Sequence, residues 1–120
     1  MKRQILIAED EVMLRVILVE MLEDAGFKAF QAGDGEDALT LLRLNPDIAL
    51  LVSDVRMPRM DGYTLIKAAL ELRPDLKILM MTGYAEDPPP YLIPAHQIEV
   101  LYKPFDLDLF CQIADTMTRI

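Results

Sequence analysis

Three carboxylates in this chain stand directly after apolar, strand-like runs. Glu9 and Asp10 follow Gln4-Ile5-Leu6-Ile7-Ala8, and Asp54 follows Ile48 to Ser53. Open parallel sheets build their sites beyond the carboxyl ends of strands, where the strand order reverses. If the two runs are neighbours at such a point, the three carboxylates share one small volume. Like charges so placed repel and raise one another's proton affinity. A hard divalent cation relieves that conflict: Mg²⁺, or Mn²⁺ in its place, takes a few carboxylates together with waters and phosphate oxygens. Two more runs end in residues that suit a phosphoryl group. Lys77 to Met81 leads into Thr82-Gly83, a hydroxyl donor beside a flexible residue, and Ile98 to Tyr102 leads into Lys103-Pro104, an ammonium. A cation and Lys103 would neutralise phosphoryl oxygens, and Thr82 would donate a hydrogen bond to one.

Each residue also has a plainer reading. Glu9 and Asp10 suit the start of a helix, where acidic side chains cap free N–H groups and meet the positive end of the dipole. Asp54 suits the cap of a turn, Thr82 a turn, and Lys103 a solvated surface. Five appropriate side chains at the ends of four strands favour a common site over five separate explanations.

The elements that must position them alternate along the chain. Strand-like runs at Gln4–Ala8, Phe27–Ala32, Ile48–Ser53, Lys77–Met81 and Ile98–Tyr102 are separated by helical patterns. The first helix spans Val12 to Ala25, with Val12, Val16, Val19 and Leu22 at helical spacing and Gly26 as its stop. The second spans Glu36 to Leu44 with Ala38, Leu41 and Leu42 inward, after a Gly33-Asp34-Gly35 turn. The third spans Tyr63 to Arg73 on Leu65, Ile66, Ala69 and Leu70. The last runs from Leu107 to about Arg119 on Phe110, Ile113, Ala114 and Met117. Strands without polar alternation, alternating with helices, require a parallel sheet covered on both faces: an α/β, doubly wound fold. Between the fourth and fifth strands the segment AEDPPPYLIPAHQ carries Pro88-Pro89-Pro90 and Pro94, so the expected fourth helix is short, displaced or missing.

Composition narrows the function classes. The 120 residues fit one domain, 1–120, with one substantial core. No apolar stretch reaches the ~20 residues needed to cross a bilayer, and the N-terminus carries no export signal. A net charge of −8 with scattered Lys and Arg disfavours direct nucleic-acid binding. The lone Cys111 offers neither an internal disulfide nor a thiolate metal site and is read as a small core hydrophobe. A reducing cytoplasm is the expected location. His96, the lone histidine, has no second imidazole to share a metal.

The motifs ILIAEDE, LLVSDVRMPRMDG, ILMMTGY and LYKPF, in this order, resemble those of the response-regulator receiver domains, the CheY-like group of two-component signalling. The resemblance covers nearly the whole chain. It implies a five-stranded sheet of order 2-1-3-4-5 and a phosphorylation-dependent switch. It implies Asp54 as phosphoacceptor; Glu9, Asp10, Asp54 and the backbone carbonyl of Arg56 as Mg²⁺ ligands; and Thr82 and Lys103 as contacts of the acyl phosphate. A sensor histidine kinase or histidine phosphotransfer protein would supply the phosphoryl group, and a downstream protein would read it. The Lys103–Pro104 peptide is expected to be cis, as X–Pro bonds permit. Arg56 and Tyr84 fall at variable positions flanking the phosphorylation site, where their size would shield the phosphate from water.

One departure concerns the switch. Three residues before the lysine the family carries an aromatic ring; this chain has Val100, which cannot swing as a ring does, and Tyr102 lies at the wrong spacing to replace it. A constitutive binding module that no longer switches is therefore a second expectation. A metal-dependent phosphatase ranks last, because the residue two after the nucleophile is Arg56, which cannot serve as an acid. The sequence through Ile120 holds no output domain, so two expectations stand side by side: a single-domain regulator acting alone, or one part of a larger protein.

Overall fold

Apolar side chains on both faces of a strand can be hidden only if helices cover both sides of its sheet. A computed structural model, described here for residues 2–57, 59–83 and 98–119, has that arrangement. Strands β1 (Gln4–Ala8), β2 (Lys28–Ala32), β3 (Ile48–Asp54), β4 (Lys77–Thr82) and β5 (Ile98–Tyr102) pair in parallel in the order β2-β1-β3-β4-β5. Helices α1 (Val12–Asp24), α2 (Gly35–Leu44), α3 (Gly62–Leu72) and α4 (Leu107–Thr118) lie between and after them. The order reverses between β1 and β3, which pair side by side with Ala8 opposite Ser53.

The side-chain alternation of the strands divides the core in two. Leu6, Ala8, Leu51, Ile78 and Met80 face α2 and α3, packing with Ala38, Leu42, Leu65 and Ile66. Ile5, Ile7, Leu50, Val52, Leu79 and Met81 face α1 and α4, packing with Leu18, Leu22, Phe110 and Ala114. Each fully buried Leu or Ile contributes roughly 1.5–3 kcal/mol relative to exposure. Between Gln4 and Ile5 the partner on β3 jumps from Ile48 to Leu50. That irregularity puts Ile48 and Leu51 on one face despite their odd spacing.

Helix faces differ from the sequence reading in two places. In α1 the buried residues are Leu18, Val19 and Leu22, while Val12 and Val16 are 58% and 41% exposed, with Met13 and Ile17 exposed beside them. In α2, Leu39 is buried and Leu41 only partly so. In α4, Phe110 and Ala114 are buried, and Ile113 and Met117 are half-buried. Past α1, Gly26 has a φ of 94° and donates to the Glu23 carbonyl at 3.0 Å, closing the helix as expected. The AEDPPPYLIPAHQ segment and the expected state of the fourth helix lie outside the described residues.

Candidate metal and phosphoryl site

The carboxyl ends of four adjacent strands bring the singled-out residues together. Glu9 and Asp10 leave β1, Asp54 ends β3, Thr82 ends β4, and Lys103 follows β5. One carboxylate oxygen each from Glu9, Asp10 and Asp54 lies within 4.8 Å of the others. Lys103 Nζ donates to Glu9 Oε1 at 2.9 Å and to Asp54 Oδ2 at 2.8 Å. The remaining oxygens accept backbone N–H groups: Glu9 Oε2 from Glu11 at 3.2 Å and Asp54 Oδ1 from Arg56 at 3.3 Å. Lys103 is itself placed by its backbone N–H, which donates to the Thr82 carbonyl at 2.7 Å; its peptide to Pro104 is cis.

Burial sets the electrostatics. Glu9 is fully buried. Burial pushes its carboxyl from 4.5 up to about 7; the Lys103 ammonium and the Glu11 N–H pull the other way, and neighbouring Asp54 adds to the rise. Burial opposes the charge of Lys103, but hydrogen bonds and attraction from Asp54 and Glu9 outweigh it and hold its pKa above the ordinary lysine value. Asp10 is exposed and completes an all-oxygen donor set whose other two members, Glu9 and Asp54, are buried. Hard oxygen donors at this spacing fit Mg²⁺ or Mn²⁺ and offer nothing to a soft thiophilic ion.

The loop from β3 to α3 is pressed against the strand end. A Cβ at Gly62 would lie 2.8 Å from Val55 Cα and overlap the Asp54 carbonyl oxygen, while the Gly62 N–H donates to the Val55 carbonyl at 2.7 Å. Ser53 is buried and its hydroxyl donates to the Asp54 carbonyl at 2.9 Å.

The structure gathers Glu9, Asp10, Asp54 and Lys103 in direct contact or near it, and buries Thr82 at the end of the adjoining strand. Arg56 follows Asp54 with an exposed side chain. Val100 pairs with Met80 and packs partly buried against the α2–α3 side of the core. Tyr102 pairs with Thr82 and is 46% exposed. Tyr84 lies outside the described residues.

Three contributors were missed in the sequence. Arg15 on α1 donates to the Glu9 carbonyl at 2.8 Å and to Gln31 Oε1 at 3.1 Å, steadying the end of β1. Asp34, read only as part of a turn, caps α2 by accepting the Asp37 N–H at 2.9 Å and pairs with Arg59. A cleft of about 450 Å³ beside Lys103 is lined by Glu11, Leu14, Pro104, Phe105 and Leu107. The Asp-x-x-Asp spacing before an apolar run signals the cap; no local pattern signals Arg15 or the cleft.

The family model described as "Response regulator receiver domain" matches residues 5–115. The chain is 42% identical over 112 residues to the response regulator receiver protein CpdR of Brucella abortus, covering 88% of each. It is 36% identical over 118 residues to the sensor kinase CckA of the same organism, covering 97% of this chain but only 12% of that protein. Among solved structures, the receiver domain of the hybrid histidine kinase CckA superposes with a TM-score of 0.83 at 30% identity, covering 97% of this chain and 99% of that one. Vibrio cholerae CheY4 superposes with a TM-score of 0.86 at 25% identity, covering 98% and 99%.

Proposed function

The chain belongs to the response regulator receiver family, and we propose that it accepts a phosphoryl group on Asp54 from a phosphohistidine donor and changes its partner binding in response. The observation that carries the proposal is Lys103 Nζ held between Glu9 Oε1 and Asp54 Oδ2 at the β1/β3 switch point. A carboxylate poised beside an ammonium is a nucleophile with a counter-charge already in place.

In the proposed reaction an Asp54 oxygen attacks phosphorus in line. The P–N bond of the donor breaks, its electron pair leaves with the imidazole, and an acyl phosphate remains on Asp54. Glu9, Asp10, Asp54 and the Arg56 carbonyl would hold Mg²⁺ or Mn²⁺, which when bound screens the phosphoryl oxygens. Lys103 transfers its attraction from the Asp54 carboxylate to a phosphoryl oxygen. Thr82, at the end of β4, donates its hydroxyl to another and is drawn toward the site, biasing an existing two-state equilibrium. Water later hydrolyses the acyl phosphate, so the protein is a self-modifying switch rather than a dedicated enzyme.

A protein donor, a sensor histidine kinase or histidine phosphotransfer protein, is supported by the apolar strip of Val12, Met13, Val16 and Ile17 exposed on the helix that begins just after Glu9 and Asp10. Scattered apolar residues are ordinary on a surface; four close together on one helix beside the chemistry fit a docking face. Among the described residues no helix is long and apolar enough to span a membrane. That, with the net charge of −8, supports a cytoplasmic protein acting through proteins rather than nucleic acid.

A second reading, a constitutive binding module, is favoured by Val100, which packs as core rather than as a swinging ring. One experiment separates the two. The protein is incubated with Mg²⁺ and acetyl phosphate, and its intact mass is taken beside that of Asp54→Ala. A single added phosphoryl group in the wild type and none in the variant is the expected result. No addition with either acetyl phosphate or a phosphorylated histidine protein leaves the constitutive module standing.

A further inference from the structure

The β3–α3 loop, residues 55–61, carries the backbone that follows Asp54, and it is fastened at two places. Gly62 holds its end beneath the Asp54 carbonyl. Farther back, Arg59 has a φ of 66°, making it the one non-glycine residue with positive φ among those described. An arginine gains nothing from that backbone, which Gly, Asn and Asp enter more readily. Its side chain shows what holds it there. The Arg59 guanidinium pairs with Asp34 Oδ2, and its other nitrogen lies 3.6 Å from Glu36 Oε2.

Asp34 is a firm anchor. Its side chain is 9% exposed, and its other oxygen is fixed by the Asp37 N–H as the cap of α2. The neighbouring Met60 side chain occupies the space a Cβ on Gly35 would take, 2.8 Å from its Cβ and Sδ, so the loop rests directly on the first turn of α2. The positive φ turns the arginine down onto that turn while the chain continues to Gly62.

We infer that Arg59 is a positioning residue: its ion pair with Asp34 clamps the β3–α3 loop onto α2 and thereby fixes Asp54 and the Arg56 carbonyl in the geometry that takes a divalent cation. The inference rests on the proposed reading of Glu9, Asp10, Asp54 and the Arg56 carbonyl as a cation site. Arg59 touches none of the reacting atoms and acts only through the loop.

The test is the Mg²⁺ dissociation constant, measured by calorimetric titration at fixed ionic strength. The proteins compared are the wild type, Arg59→Ala, Arg59→Lys, Asp34→Asn, and Arg59→Ala combined with Asp34→Asn. Circular dichroism of each checks that it is folded, and asparagine retains a capping oxygen for α2. A clamp predicts that Arg59→Ala and Asp34→Asn each weaken Mg²⁺ binding by about tenfold, the low end for groups that orient metal ligands. It also predicts that the double variant is no worse than either single one and that Arg59→Lys recovers part of the loss. Simple electrostatics predicts the opposite sign for Arg59→Ala, because deleting a positive charge near an acidic site tightens cation binding. Arg59→Ala binding as tightly as the wild type, or more tightly, overturns the clamp alone. Additive losses in the double variant also overturn it. A folded wild type that takes up no Mg²⁺ overturns the cation-site reading and the clamp with it.

Discussion

Acidic residues precede every described helix, and they fall into two kinds. Asp34, Asp61 and Asp106 cap α2, α3 and α4, accepting N–H groups of Asp37, Thr64 and Asp108 at 2.9, 2.8 and 2.7 Å. At α1 the pattern fails. Its N-cap, Glu11, makes no side-chain cap bond, and its first turn holds no acid. Glu9 instead turns one oxygen to Lys103 and the other to the Glu11 N–H, outside the helix. Leaving a helix start uncapped costs about 1 kcal/mol. The chain accepts that cost only where the strand order reverses, and there its acids face each other instead of the helix. Among the described helices the same residue types thus stabilise α2, α3 and α4 and build a charged site at the start of α1.

The strongest challenge to this division is Gly62→Ala. Gly62 opens α3 directly after the capping Asp61, and it also lies against the backbone of Asp54 and Val55. A methyl group there meets backbone that cannot rotate away, so the strand end or the helix start must move. The expected cost is roughly 3 kcal/mol, the upper end for overpacking a fixed site. Urea unfolding measures it. A variant as stable as the wild type would mean that the α3 cap and the Asp54 loop are not held against each other.

Next in size is a difference of sign. The folded Glu9 carboxyl titrates near 7 rather than 4.5, chiefly because it is buried. Between those values the native state holds a proton that the unfolded chain has released, so stability falls as pH rises from 4.5 to 7 and is level above. At about 1.4 kcal/mol per pH unit the fall is about 3 kcal/mol. Glu9→Gln removes it, leaving a variant more stable than the wild type at pH 8 without Mg²⁺. Asp34 behaves oppositely: the Asp37 N–H and then the Arg59 guanidinium lower its pKa. Its stabilisation is complete above the ordinary aspartate value and lost as pH falls through the lowered one. Thermal unfolding from pH 3 to 8 separates the two kinds of acid. A Glu9→Gln variant with the wild type's slope between pH 4.5 and 7 would place that proton elsewhere.

The sheet was legible in the sequence because continuous apolar runs such as Ile5–Ala8 and Leu50–Val52 leave few alternatives to buried parallel strands. The gathering of Glu9, Asp10, Asp54, Thr82 and Lys103 was legible for the same reason, since each marks the end of such a run. The face of α1 was not. Val12 and Val16 have the same periodicity as Val19 and Leu22, and only tertiary placement leaves the first pair outside the core. Arg15 was equally hidden, because its partners are Gln31 of β2 and the carbonyl of Glu9 just past β1, neither on its own helix. Whether Glu9 caps α1 was open in the sequence, and the Lys103 contact decides it from a position 94 residues away.

The smallest expected effect isolates the caps themselves. Asp61→Ala deletes an oxygen that accepts the Thr64 N–H at 2.8 Å and should cost about 1 kcal/mol. Glu11→Ala deletes a side chain that makes no cap bond and is exposed, so it should change stability by no more than about 0.5 kcal/mol. Paired urea titrations at pH 8 resolve a difference of that size. Equal losses in the two variants would show that Glu11 supports α1 through the dipole despite the missing bond, and the division between capping and site acids would then narrow to Glu9 and Asp10. A loss at Asp61 alone leaves the start of α1, among the described helices, as the one whose acidic neighbours serve the site and not the helix.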